Sequence, residues 1–421
     1  MKKFCALSLQ ILLVYIVVAE DEPRVQFDWN ACVELAIYNN RDLKAARFDI
    51  AASEENVISA RSGLLPQAKL SGSVRRSDGT DEERYGASIS ASQLIYDGGR
   101  TWDEWQKRKI EAATSSTDYQ IESANVRYKL RMAYVNLLKA QKMADIWQTI
   151  LKRRKESRRL VNLRYQAGRE HRGALLTAEA REMEAEVEVQ QAARSMELAK
   201  SELLNIIGIV SGIKNFSLKN EDFSLSAEKT AEPPFADIAT QTPSLRKQYD
   251  LKKIAEINLQ QAKRSRLPSV QLSAETGISG VWPPEEESWS VGIGLSLPIF
   301  EGWKKTADIR SAEAELTATV ERYQRELEKN VQTMKQKWTE YLNASERVGV
   351  REKYRNAAQE RAKIAEVQYS SGLLSFDNWI IIENEFVDAE RAFISAQAEA
   401  MSAEAAWHNI IGRTLEHEKS K

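Results

Sequence analysis

Residues 42–72, DLKAARFDIAASEENVISARSGLLPQAKLSG, and residues 244–274, SLRKQYDLKKIAEINLQQAKRSRLPSVQLSA, are two versions of one pattern. Leu43, Pro66 and Leu70 fall on Leu245, Pro268 and Leu272. Further on, Ile95-Tyr96-Asp97-Gly98 matches Ile299-Phe300-Glu301-Gly302, and RYQAG ending at Gly168 matches QYSSG ending at Gly372. Ile206-Ile207-Gly208 and Ile410-Ile411-Gly412 close the two copies. The spacing is 202 residues at Pro66 and Pro268 and 204 at Gly98 and Gly302, so one structural unit is duplicated.

Each copy reads in the same order. Residues 28–63 have a helical pattern, and Pro66 ends that helix because it lacks a donor and disfavours helical geometry before it. Ala68, Leu70, Gly72 and Val74 then alternate with Lys69, Ser71, Ser73 and Arg75, as in a strand. After the polar turn SDGTDEE, Tyr85, Ala87, Ile89 and Ala91 alternate with Ser88, Ser90 and Ser92. The second copy places Val270, Leu272, Ala274, Thr276 and Ile278 before a turn at Pro283-Pro284, then sets Trp289, Val291, Ile293, Leu295 and Leu297 against Ser290, Gly292, Gly294 and Ser296. Strands of about ten residues with one apolar and one polar face fit a transmembrane β-barrel, and they also fit a hairpin half-buried on a soluble core.

Long helices follow. From Thr101 to Tyr165 there is no proline, and Leu130, Tyr134, Leu137, Ala140, Ala144, Trp147 and Leu151 keep the three-and-four spacing of a helix seam. At 1.5 Å per residue such a helix would be about 100 Å long. A break at Gly168 and a return helix from Leu175 to Ile207 make a long antiparallel hairpin, repeated around Gly372. The expected organisation is a β-hairpin at 67–96 and a helical hairpin at 99–207 within the first repeat, 20–208. A linker at 209–241 carries Pro233-Pro234. The second repeat, 242–412, holds a β-hairpin at 268–299 and a helical hairpin at 303–411, and 413–421 is a polar tail.

The first residues differ from the rest. Lys2 and Lys3 precede an apolar stretch from Phe4 to Val18, too short for a membrane span, with a small residue at Ala19, which reads as a signal peptide over 1–19. Cleavage there leaves Cys32 as the last cysteine, so no intramolecular disulfide is expected. With 60 basic and 61 acidic residues, the charge balance offers nothing to nucleic acid. His171, His408 and His417 are scattered, and no Cys or His pair has metal-ligand spacing. No enzyme activity, cofactor or metal is expected.

Four strands cannot close a barrel in a bilayer, where unpaired edges are costly, so membrane insertion would require several protomers to pool strands. The duplicated order resembles the TolC family of outer-membrane efflux proteins, on SGLLPQ, ISASQLIYDGG, RYQAG followed by LLTAEA, VGIGLSLPIFEGWKKTADIRSAEAEL, QYSSG and the terminal NIIG. That resemblance covers nearly the whole chain after the signal peptide.

It implies a mainly α fold with a small β part: a homotrimer whose strands make a twelve-stranded barrel in outer-membrane lipid and whose helices make an α-barrel through the periplasm. Such a channel is an exit duct for tripartite efflux or type I secretion, working with an inner-membrane transporter and a periplasmic adaptor (membrane fusion) protein. The helix-strand swivels would be Pro66, Gly98, Gly99, Pro268, Pro298 and Gly302. The adaptor-contact tip would comprise Arg164, Tyr165, Gly168, Tyr369, Gly372 and Leu373. In some family members aspartate rings constrict the pore; counting from Gly372 places Asn378 there, beside Asp377, and the first copy has Ala174. GREHRG, with Glu170, His171 and Arg172, departs from the family's small residues at the tip, as an exposed turn or a determinant of partner choice. The alternative is a periplasmic coiled-coil scaffold or adaptor without membrane insertion.

Overall fold

The computed structural model describes residues 25–76, 82–209, 216–219 and 232–419. The expected signal peptide, most of the first hairpin's turn and much of the expected linker lie outside those residues. The chain runs β1 (Val25–Phe27), α1 (Trp29–Asn39), α2 (Arg41–Ser62), β2 (Gln67–Arg75), β3 (Arg84–Tyr96), α3 (Arg100–Gln166) and α4 (Arg172–Ile207). β4 (Phe216–Leu218) and α5 (Phe235–Gln241) lead to α6 (Pro243–Arg264), β5 (Ser269–Val281), β6 (Glu286–Ser296), α7 (Lys304–Ser370), α8 (Phe376–Ile410) and α9 (Glu416–Lys419). The order helix, strand, strand, long helix, return helix therefore occurs twice.

α3 and α7 are each 67 residues, about 100 Å of rod. Both end at a left-handed glycine, Gly168 (φ 68°) and Gly372 (φ 83°). The next amide then folds back onto the helix, Arg169 N to Arg164 O at 2.8 Å and Leu373 N to Gln368 O at 2.9 Å. Laterally the order is α2, α3, α6, α7, with α4 and α8 packed along α3 and α7. The strands follow the same order in one antiparallel sheet, β2-β3-β5-β6.

Three expectations change. The helix over 28–63 is broken at Asn40, whose backbone leaves the helical region (ψ 131°). Its side chain caps α2 through Leu43 N and donates to Ile206 O at 2.7 Å, so the break ties α2 to the end of α4. The expected linker carries two ordered elements: β4 pairs in parallel with β1, and α5 buries Phe235 and Ala239 against Met334, Trp338 and Trp407. The expected polar tail is docked, with Leu415 fully buried in the largest core, beside Leu130, Tyr134, Leu137, Leu203 and Phe216. In the last two cases a few apolar side chains in a polar stretch bury enough surface to hold it.

Candidate functional site

The sheet has two chemically distinct faces, and the register fixes both. Leu70 pairs with Ile89, Ile89 with Thr276 and Thr276 with Trp289, and one step along, Ala274 pairs with Val291. The opposite face carries Ser71, Ser88, Gly277 and Ser288 in one row and Ser90, Glu275 and Ser290 in another. Trp289 is 80% exposed, Ile293 75% and Leu70 75%, so the apolar face lies open rather than covering a core. A contiguous apolar surface of this kind marks a membrane or protein contact. β5, at 13 residues, spans about 40 Å along its axis and about 30 Å when tilted as in a barrel, enough for the roughly 25 Å apolar band of such barrels. β2 and β6 are the edges, and no described strand pairs with their outer sides.

Below the sheet the chain turns sharply into α3. Gly98 and Gly99 sit at φ 75° and 86°, a region costly for residues with a Cβ. Asp97 organises the turn: its carboxylate accepts from Gly99 N (2.9 Å), Thr101 N (2.8 Å) and Thr101 Oγ1 (2.7 Å). Burial pushes this carboxyl up, but the hydrogen bonds from Thr101 and Gly99 outweigh it and hold it below its ordinary range. Arg264 of α6 closes the site, reaching Asp103 Oδ1 at 2.7 Å and Gly99 O at 3.2 Å. Pro66 and Pro268 stand just before β2 and β5, Pro298 just after β6, and Gly302 (φ 58°) at the second turn. All six sequence-read swivel residues thus lie at junctions between sheet and helices.

At the far end of the rods the two hairpins meet. Tyr369 is fully buried and stacks on Trp379 at 4.3 Å with an 11° interplanar angle, with Phe376 beside both. The Arg164 guanidinium lies over the Tyr369 ring at 4.5 Å and donates to the Tyr369 carbonyl. Tyr369 in turn donates its hydroxyl to Glu170 at 3.1 Å. Burial and then the Glu170 charge raise the phenol well above its usual value. Two sequence-read tip residues, Arg164 and Tyr369, are therefore brought together, while Leu373 is 81% exposed and Tyr165 is partly exposed. Asp377 and Asn378 lie exposed in the first turn of α8, capped by Ser375. His171 caps α4 through Nδ1, 3.1 Å from Ala174 N.

Two polar assemblies were not singled out from sequence. Arg154 of α3 and Arg181 of α4 both donate to Asn384 of α8, at 3.0 and 2.8 Å, next to buried Glu383. Burial raises the Glu383 carboxyl despite Arg153 and Arg154. At the other end of the helices, Glu418 receives Arg127 (2.8 Å), Arg413 (2.9 Å) and the Trp29 indole (3.4 Å), while Glu416 receives Ser123 (2.6 Å) and Tyr119 (2.7 Å). In sequence these are ordinary polar and charged helix-surface residues; apart from Arg413 to Glu418, the contacts that distinguish them span more than 200 residues.

No helix among the described residues is long and apolar enough to cross a membrane, and they contain no group of three or more His, Cys, Asp or Glu able to hold a metal. The family model described as "Outer membrane efflux protein" matches residues 32–209 and 238–413. The outer membrane efflux protein BepC of Brucella suis biovar 1 is 21% identical, covering 90% of this chain and 84% of that protein. The alkaline protease secretion protein AprF of Pseudomonas aeruginosa is 23% identical, covering 88% and 79%. The open state of the MtrE outer membrane channel of Neisseria gonorrhoeae superposes with a TM-score of 0.77 at 19% identity, covering 92% of this chain and 90% of that one.

Proposed function

The chain belongs to the outer membrane efflux protein family, and from that premise we propose that three copies pool their sheets into one closed barrel in outer-membrane lipid. It is an outer-membrane channel protein, an exit duct for efflux or secretion that reaches into the periplasm. The observation that carries the trimer is the sheet itself, with two open edges and an exposed apolar face backed by serine and glycine. Unpaired edge groups in hydrocarbon cost several kcal/mol each, so β6 of one copy pairs with β2 of the next until the ring closes. The apolar face then meets lipid and the Ser/Gly face lines the lumen.

The tip residues take two roles in this reading. Tyr369, being enclosed, acts as a strut between the hairpins. Arg164, Tyr165, Gly168, Gly372 and Leu373 form the end that a periplasmic adaptor, coupled to an inner-membrane transporter, would touch. In the trimer, Asp377 and Asn378 would carry the constriction, as a ring of carboxylate beside amide. Such a ring favours cations only if Asp377 faces the lumen.

Measuring the oligomeric mass of the detergent-extracted outer-membrane fraction, without boiling, tests the assembly. A detergent-dependent species of three protomers supports it. A soluble periplasmic monomer would overturn it and favour the coiled-coil scaffold.

A further inference from the structure

The two repeats place equivalent residues at two seams, and the seams differ in a correlated way. Within one chain, the first repeat meets the second where α3 packs on α6. Three residues lock that seam beside the sheet: Arg264 on α6, Asp103 on α3, and Gly99, whose missing side chain leaves room for the guanidinium. A Cβ there would stand 2.8 Å from Arg264 Nη1. The repeat spacing places Ser62, Ala307 and Trp303 at these three positions in the other copy. All three are exposed in the single chain, Trp303 at 75%, and a Cβ at the adjacent Gly302 meets nothing within 4 Å, whereas one at Gly98 meets Leu267 at 3.0 Å.

Both members of the ion pair are thus replaced by small neutral residues, and the glycine by the largest side chain. Trp303 also holds the left-handed backbone of its counterpart, at φ 67°, the only described non-glycine residue at positive φ. The row α2-α3-α6-α7 has α7 and α2 at its ends, as the sheet has β6 and β2. Extending the row by one repeat seats α2 of a second copy on α7 as α6 sits on α3.

We infer that Trp303 is the anchor of the seam between protomers, its indole filling beside Ser62 and Leu65 of a second copy the space that Arg264 fills within the chain. This rests on the trimer proposed above and names the residue at its joint. The within-chain seam carries a part-buried ion pair, with Asp103 almost enclosed, and a second one between Lys247 and Asp118 at 2.7 Å. The counterparts of Lys247 and Asp118 are Ala45 and Arg322, which cannot pair. The joint between copies is held by apolar burial where the joint inside a copy is held by charge.

The test uses full-length protein carrying Ser62→Cys and Ala307→Cys, which leaves Trp303 in place. Within one chain these positions lie three interhelix steps apart, about 25 Å, beyond a short bis-maleimide. The expected result is covalent dimers and trimers from the double variant and none from either single variant. A detergent trimer that fails to cross-link overturns the anchor and leaves the trimer standing, whereas absence of any trimer overturns both. In parallel, Trp303→Ala should speed trimer dissociation at least about tenfold. The swap Trp303→Gly, Ser62→Arg, Ala307→Asp should restore it by rebuilding the charged lock. If Trp303→Ala leaves dissociation unchanged and only lowers the fraction of tryptophan emission quenched by brominated lipid, Trp303 is a lipid contact and the inference is wrong.

Discussion

Acidifying the detergent-solubilised protein from pH 7 to pH 5 should weaken the junction where the C-terminus docks by about 2 kcal/mol, through His408 alone. The ring sits between two guanidinium groups, with Nδ1 3.4 Å from Arg127 and Nε2 3.3 Å from Arg413. Burial, then Arg127 and Arg413, depress its pKa from 6.5 to about 3, and Glu418 opposes them only in part. The folded protein therefore keeps the imidazole neutral, while the unfolded chain binds a proton below about 6.5. Stability is full above that value and falls by about 1.4 kcal/mol per pH unit as pH drops toward 3. Glu416 and Glu418 are held below their ordinary 4.5, so their stabilisation is lost only at lower pH, outside this window. Urea unfolding of wild type and His408→Gln at pH 7, 6 and 5 isolates the effect, because every other titrating group is common to both. The wild type should lose about 2 kcal/mol more than the variant between pH 7 and 5. Parallel pH profiles would refute the argument.

Trp289→Arg places a charge on the apolar face and should lower assembled channel by about 2–4 kcal/mol if the residue lies near mid-bilayer, whereas Ser290→Arg on the opposite face should be tolerated; heat-resistant trimer in outer membranes reads both. Tyr369→Ala removes a fully buried ring at the tip and should cost about 3–5 kcal/mol locally, seen as faster amide exchange around residues 160–175 and 365–380 with the sheet unchanged; Tyr369→Phe, which loses only the bond to Glu170, should cost about 1 kcal/mol. Asp97→Ala leaves the amides of Gly99 and Thr101 without their acceptor and should lower stability by about 1–2 kcal/mol in thermal unfolding, whereas Asp97→Asn, which keeps one acceptor oxygen, should cost less.

The repeat, the alternating strands and the glycine helix ends were legible in the sequence because each is a local signal written twice. Gly168 and Gly372 end their helices for the same backbone reason, and Leu70, Ile89 and Trp289 fall on one face because strand periodicity and register agree. What was not legible depends on contacts distant in sequence. Asn40 breaks a helix that reads as continuous, since its amide binds a carbonyl 166 residues away. Glu418 in a polar tail reads as a solvated charge until Arg127 of α3 is brought beside it, and Asn384 reads as a solvated amide until Arg154 of α3 and Arg181 of α4 converge on it. Tyr369 reads as a surface tip residue but is enclosed by Trp379 and Phe376 from the next helix. A duplicated chain also offers a second kind of information, in the places where its copies disagree. A lone change from Gly99 to Trp303 would read as drift, since tryptophan is poorly suited to a left-handed backbone. It makes physical sense only alongside Arg264 to Ser62 and Asp103 to Ala307, where charge and volume are exchanged together. Three such changes, at the end of α2 and the start of α7, which do not pack together within the chain, are accounted for by the contact with a second copy in the trimer proposed above.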